Sequence, residues 1–334
     1  MYKLFIILFF SNFLVIFSQK NTNYFEYHSL INKAEYLFFK SEEKDSALYY
    51  YDKCFNDFDF IFAKDAINAA QIAFFLKKDY KKYLIKGFGN GLKIDHLKHV
   101  RLFEKEINKI ANDKFLKSEY AKKRKEYLKR IDLEYLNTIL DYGIQDQVDK
   151  RTDNSKAYEE KKQKAFVKIE KLIREKGFPG DQLLGIADST IFKESKSKFK
   201  DFNYRIKKFN NLKDFTSEDG SLSQKMIYLI LIHSHCSYND LSDIWMEEIK
   251  KGNVHPGDVA LFHDNIYRTV ECKNPNIPYK KNLFVNYFKY SEIDDKINKK
   301  RKELFINNIE IDNLKKIFEE KYGAKLFWGF WYCR

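Results

Sequence analysis

Met226-Ile227-Tyr228-Leu229-Ile230-Leu231-Ile232-His233-Ser234-His235-Cys236 decides how this chain is read. Its first seven residues are continuously apolar, a pattern that suits a buried helix and a buried strand equally. The readings part at the histidines. On a strand, His233 and His235 point to one face. On a helix they stand about 200° apart and cannot chelate one ion, while His233 and Cys236 become neighbours. The sequence leaves both readings open.

Four of the seven histidines lie between His233 and His263, and all four prolines lie between Pro179 and Pro278. The backbone is thus expected to be least regular where titratable groups are densest, and a site is expected there. Ser237 to Lys250 reads as a second helix stopped by Gly252, with Ile244, Met246 and Ile249 apolar. Gly257 opens a third short helical pattern, on which Ala260 and Asp264 share a face beside His263.

Upstream, Ile31, Ala34 and Phe38 form one apolar helical stripe, and Ala47, Tyr51, Cys54 and Phe55 form a second after the polar break at Ser41 to Lys44. A shift of about 36 residues lays Ala34 and Phe38 onto Ala70 and Phe74, close to the period of tetratricopeptide units. The resemblance to tetratricopeptide repeats covers two degenerate units and lacks their closing proline. Gly87-Phe88-Gly89-Asn90-Gly91 follows a helix, not a strand, so it reads as a helix-ending turn and not a phosphate loop.

Asp95 to Lys176 reads as charged helix broken near Asn112 and Gly143, with Ala165, Ile169, Leu172 and Ile173 on a buried face. Gly177 and Pro179 close it. Lys193 to Gln224 is polar and without period, as a long loop would be. Lys296 to Tyr322 is helical in pattern, and the aromatic end from Leu326 to Cys333 is a candidate short strand.

Met1-Tyr2-Lys3, the apolar run Leu4 to Phe17 and the polar return at Ser18-Gln19-Lys20 have the shape of a signal peptide cut after Ser18. Export, to periplasm or medium, is the expectation, with membrane contact only through this segment if it stays uncleaved. The formal charge of +13 rests mostly on lysine. The runs Lys122-Lys123-Arg124-Lys125 and Lys299-Lys300-Arg301-Lys302 read as solvated helix faces, so no nucleic-acid partner is expected. Cys54 falls on an apolar stripe as a packed thiol. Cys236, Cys272 and Cys333 are too few and too scattered to select a pairing, although Cys236 with Cys272 is favoured by their shared region.

The second half also resembles an uncharacterised domain family of exported bacterial proteins. The resemblance runs from Leu133 to the C-terminus and rests on Asp146-Gln147 with Arg151, Gly177-Phe178-Pro179-Gly180, His233-Ser234, and Gly252 with Ala260 and Asp264. Where the family has an arginine after that aspartate, this chain has Asn265. No activity of the family carries over.

The chemistry these residues suggest is a histidine oriented by a carboxylate. His233, Asp264 and His263 are the candidate catalytic residues, and Asp146, Gln147 and Arg151 the candidate ligand-binding ones. The competing reading makes Gln147, Arg151 and His233 a buried structural network. Zinc drawn from His233 or His235, Cys236, His255 and His263 fits no short-motif spacing. No metal or cofactor is expected, and on a helix His235 and His255 become bystanders. The expected whole is mainly α: a signal peptide over 1–18, a tetratricopeptide-like region over 19–132 and a helical C-terminal domain over 133–334. The expected role is a non-catalytic envelope binding protein with a protein or peptide partner. An envelope hydrolase using a His-Asp pair, with or without a metal, is the alternative.

Overall fold

Apolar stripes at helical spacing dominate the sequence, and the computed structural model of the chain is mainly α. It describes residues 20–201, 204–205, 222–234, 236–266 and 294–328, with backbone alone for 265 and 266. The signal-like segment, His235, Cys272, most of the 193–224 loop and the terminal aromatics from residue 329 onward lie outside the described residues.

The first two stripes form an antiparallel pair, α1 (Tyr24–Phe39) and α2 (Ser46–Asp57). Tyr27, Ile31, Ala34 and Phe38 of α1 are buried, as are Ala47, Tyr51, Cys54 and Phe55 of α2. Cys54 is free, and burial pushes its thiol pKa well up, so it behaves as a packed apolar group. α3 (Ala63–Phe75) pairs with α4 (Lys81–Phe88) and is covered on every side from Ala63 to Ala73. α4 ends at Gly89, and Gly91 takes a φ of +100° that suits glycine. The glycine-rich stretch is therefore a helix stop.

Two short 3-10 turns, Ile94–His99 and Arg101–Phe103, lead to α5 (Ile107–Asn112) and α6 (Lys114–Arg130). α7 (Leu133–Thr152) and α8 (Ser155–Lys176) follow. Asp113, Asp132 and Asn154 each accept the N–H of a first-turn residue, so chain breaks fall where side chains can cap. The break expected at Gly143 is absent. Gly143 sits in mid-helix because a Cβ there would meet Met226 Sδ at 2.6 Å; it is a close-approach residue.

The apolar run resolves its opening ambiguity in favour of helix, which spans Lys225–His233. After the single turns α9 (Asp181–Leu184) and α10 (Ile191–Glu194), this segment is α11. It is buried from Lys225 to Leu231 and packs on α7, α8, α12 (Ser237–Asp240) and α14 (Pro256–Ile266). The helix expected over 237–250 is split. α12 ends at Asp240, and α13 (Trp245–Lys251) turns its buried face through Trp245 and Ile249, leaving Met246 exposed. α15 (Asp295–Glu303) and α16 (Ile309–Tyr322) complete the described helices. Gly323 closes α16 in the left-handed conformation, and from Ala324 to Trp328 the chain forms no helix or strand, with Leu326 and Trp328 buried.

Two cores result, and they do not divide cleanly along the chain. One joins α1 to α4 with Phe318, Ala324, Leu326 and Trp328, so the C-terminal segment packs back on the N-terminal hairpins. The other gathers Tyr127, Tyr135, Ile139, Phe166, Phe178, Trp245 and Phe262 around α11. Each large side chain so buried contributes roughly 1.5–3 kcal/mol. Among the described residues no helix is long and apolar enough to cross a membrane.

Candidate functional site

On α7, Asp146, Gln147, Lys150 and Arg151 are spaced to share a face through their i,i+4 pairs. His233, the last residue of α11, meets that face. Its Nδ1 lies 2.6 Å from Asp146 Oδ2 and its Nε2 lies 2.9 Å from Lys150 Nζ. A lysine only donates, so Nε2 accepts and the ring carries its proton on Nδ1, directed at the carboxylate. Gln147 Nε2 donates to Asp146 Oδ2 at 2.9 Å, and Tyr158 donates to Asp146 Oδ1 at 2.9 Å. Arg151 donates to the carbonyl of Gln147 at 2.6 Å. Burial and Asp146 together raise the Tyr158 pKa, keeping it a donor.

The sequence-expected residues thus fall into two groups. His233, Asp146, Gln147 and Arg151 come together. His263 and Asp264 pair with each other instead, Nδ1 to Oδ1 at 2.9 Å, and the His263 ring stands edge-on to Tyr238. His233 takes Asp146, not Asp264, as its carboxylate. Cys236 is disulfide-bonded, its partner lying outside the described residues. Among the described residues no three of His, Cys, Asp and Glu are arranged to hold a metal.

A second site has a stronger claim as a place for a ligand. A cleft of about 170 Å³ opens between α1, α3, the start of α14, and the segments around α15, α16 and the tail. Its walls carry charges that meet only in the fold. Lys64 Nζ reaches both oxygens of Asp258 at 3.2 and 3.4 Å, and Tyr228 donates to the same carboxylate at 2.8 Å. Lys315 bonds Glu35 at 2.8 Å, and Asn307 donates to the other Glu35 oxygen at 2.7 Å. Arg301 pairs with Asp312. Burial works against the Lys315 charge, yet Glu35 and Asp312 beside it hold its pKa above the ordinary lysine value.

Between these pairs stand His28, His255 and Asp65. The two imidazoles meet edge to face, ring centres 5.1 Å apart. The Gly257 N–H donates to His255 Nδ1 at 3.0 Å, which leaves the ring proton on Nε2, 4.0 Å from Asp65 Oδ1. Asp65 Oδ2 accepts from Tyr27 at 2.9 Å. His28 Nε2 is buried and has no hydrogen-bond partner among the described residues. Burial, with Lys64 adding to it, pushes His28 down to about 3, and His255 is lowered for the same reasons. Burial pushes the Asp65 carboxyl up to about 7 against the pull of Lys64. The cleft therefore presents two neutral imidazoles and a carboxyl that titrates near neutral pH.

Of the groups that give this cleft its chemistry, sequence reasoning weighs only His255 as a candidate ligand, and on a helix that residue becomes a bystander. One signal was present: Lys64, Asp65, Asn68 and Gln71 interrupt the otherwise apolar α3 at helical spacing, and buried polar residues on such a helix need partners. Another lay inside the basic runs, where Arg124 and Arg301 are buried while Lys122, Lys125, Lys299 and Lys302 are not. Comparison with family models, curated proteins and solved structures returned no match to this chain.

Proposed function

We propose that this chain is a non-catalytic binding protein of the cell envelope, exported by its N-terminal segment. Its cleft between α1, α3, α14 and α16 is the ligand site. The observation that carries this reading is the state of the cleft's charges. Lys64, Lys315 and Arg301 each face a carboxylate, and the groups left over, His28, His255 and Asp65, are hydrogen-bonding ones. Such a set holds a ligand by shape and hydrogen bonds. The pairing of α1 with α2 and α3 with α4 supports a tetratricopeptide-like arrangement of the first half. Helical pairs of this kind ordinarily carry a protein or peptide partner, or a neighbouring domain.

The rival reading, an envelope hydrolase, has one observation in its favour. Asp146 orients His233 as a general base would be oriented, with Lys150 covering the nitrogen that would take the proton. Incubating the full chain with a panel of small polar compounds, followed by a thermal shift and mass spectrometry of each compound, separates the two. A raised melting temperature with the compound recovered intact is the expected result. Product formation that Asp146→Asn abolishes would overturn the binding reading. N-terminal sequencing of protein recovered from the envelope tests export: a start at Gln19 is expected, and an intact Met1 contradicts cleavage.

A further inference from the structure

We infer that the cleft binds a neutral, hydroxyl-rich ligand of about one sugar ring, either a free monosaccharide or the terminal residue of a glycan; this rests on the binding reading above. Charge balance excludes the other small polar classes. Each cation lining the cleft is matched: Lys64 with Asp258, Lys315 with Glu35, Arg301 with Asp312. An anionic ligand would have to displace a buried carboxylate from its partner, and a cationic one would have to displace a buried lysine or arginine or draw the proton off Asp65 against the burial that opposes its charge. Either exchange gives up a charge-assisted hydrogen bond to gain one. A neutral ligand leaves all three pairs in place.

The groups that remain suit hydroxyls, which both donate and accept. His255 Nε2–H donates, Asp65 Oδ1 lies 4.0 Å from it, and His28 Nε2 is buried without a partner among the described residues. His28 lines the cleft and, among the described residues, has no hydrogen-bond partner that fixes its tautomer, so the Nε2 of that ring serves as donor or acceptor as a hydroxyl requires. A carboxyl near neutrality at Asp65 is equally two-sided. Apolar walls come from Phe305, Phe327 and Trp328. Trp328 is held in place by its Nε1–H, which donates to Asn68 Oδ1 at 3.1 Å. Aromatic walls beside a few fixed polar groups are what the C–H faces and hydroxyl rim of a sugar ring need. At about 170 Å³ the cleft is below the ~300–1,000 Å³ of sites for drug-sized ligands, so one ring fits and a chain does not.

Titration calorimetry of the full chain at neutral pH tests the assignment. The probes are glucose, galactose, mannose and N-acetylglucosamine, their uronate and free 2-amino counterparts, a short oligosaccharide ending in each ring, and an amino acid and a nucleoside, serine and uridine. One neutral ring is expected to bind at least about tenfold tighter than its charged counterparts. His28→Phe should weaken it about tenfold, the value of one good hydrogen bond, with the melting temperature unchanged. If His28→Phe fails to fold, Asp65→Asn, which keeps an oxygen for Tyr27, replaces it, with the same expected loss of affinity and a melting temperature no lower than the parent's. Tighter binding of the oligosaccharide assigns a glycan end, and weaker binding assigns a free sugar. A uronate or amine that binds as well as the neutral ring overturns the proposal, as does binding indifferent to both variants. If no sugar binds but an amino acid or nucleoside does so in a His28-dependent way, the sugar assignment falls and the binding reading stands. If none of these binds, both fall.

Discussion

Lys64 and Asp258 are 194 residues apart in the chain and 3.2 Å apart in the fold, and their side chains are only 9% and 6% exposed. The pair joins the N-terminal hairpins to α14 across the cleft. Removing one member leaves a buried charge without its partner, which typically costs about 3–5 kcal/mol. Lys64→Met should therefore destabilise the protein by about that much in urea unfolding. The double variant Lys64→Met, Asp258→Leu should lose less than the sum of the two single changes, because no charge is stranded. A loss below about 1 kcal/mol for Lys64→Met would show a solvent-screened pair and sink the expectation.

Asp188 makes the corresponding joint elsewhere. Its fully enclosed carboxylate accepts from Lys93 at 2.6 Å and from Arg124 at 2.6 Å. Burial works against ionisation, but Arg124 and Lys93 outweigh it and hold the carboxyl well below the usual range. A folded-state pKa below the unfolded value gives stability that is present above about pH 4 and lost as pH falls further. Asp188→Asn should remove this acid-dependent part of the stability curve. It should also lower stability at pH 7. An acid limb equally steep in the variant would contradict the assignment.

His28 and Asp65 oppose each other in pH dependence. His28, pushed down to about 3, contributes stability that is full above the ordinary histidine value near 6.5 and is lost as pH falls. Asp65, pushed up to about 7, works the other way: the folded state keeps its proton, so stability falls as pH rises from about 4 through 7. Asp65→Asn should be more stable than the parent at pH 8 and should lose the decline between about pH 4 and 7. His28→Phe should be the less acid-sensitive chain between pH 6 and 4. Melting curves across this range check both, and an unchanged slope in either variant would refute its half.

The helices and their stops were legible because they depend on neighbours in sequence. The spacing of Ile31, Ala34 and Phe38 defines a buried stripe, and Gly89, Gly177 and Gly252 stand where helices end. The meeting of His233 with Asp146, Gln147 and Arg151 was partly legible, since short motifs marked those residues, but their carboxylate partner was misassigned. Asp264 lies beside His263 on the same helix, whereas Asp146 comes from another helix that only packing delivers. The cleft was hidden for the same reason. His28, Lys64, Asp258 and Lys315 belong to four separated segments, and no spacing rule relates residues whose distance is set by two cores closing on each other. Gly143 misled because its sequence context is that of a helix break, while its cause, Met226, lies on α11.

Two glycine-bearing turns that look alike in sequence should respond oppositely to alanine. Gly180 has an ordinary φ of −93°, so backbone freedom is not what it supplies. Its Cβ would stand 2.0 Å from the carbonyl oxygen of Asn253, a backbone atom that cannot swing aside. The turn is clamped there: Glu248 accepts from the Phe178 N–H and from Asn253 Nδ2. Gly180→Ala must push the turn off the end of α13 and should cost about 3 kcal/mol, the upper range for overpacking. Gly89 has a φ of −68°, and a Cβ there meets nothing closer than 3.5 Å. Gly89→Ala should be neutral, or stabilising by about 0.4–1 kcal/mol through the lost freedom of the unfolded chain. Thermal and urea unfolding of the two variants side by side decide the matter. A Gly180→Ala chain within about 0.5 kcal/mol of the parent would mean that the turn does not seat on Asn253 as described.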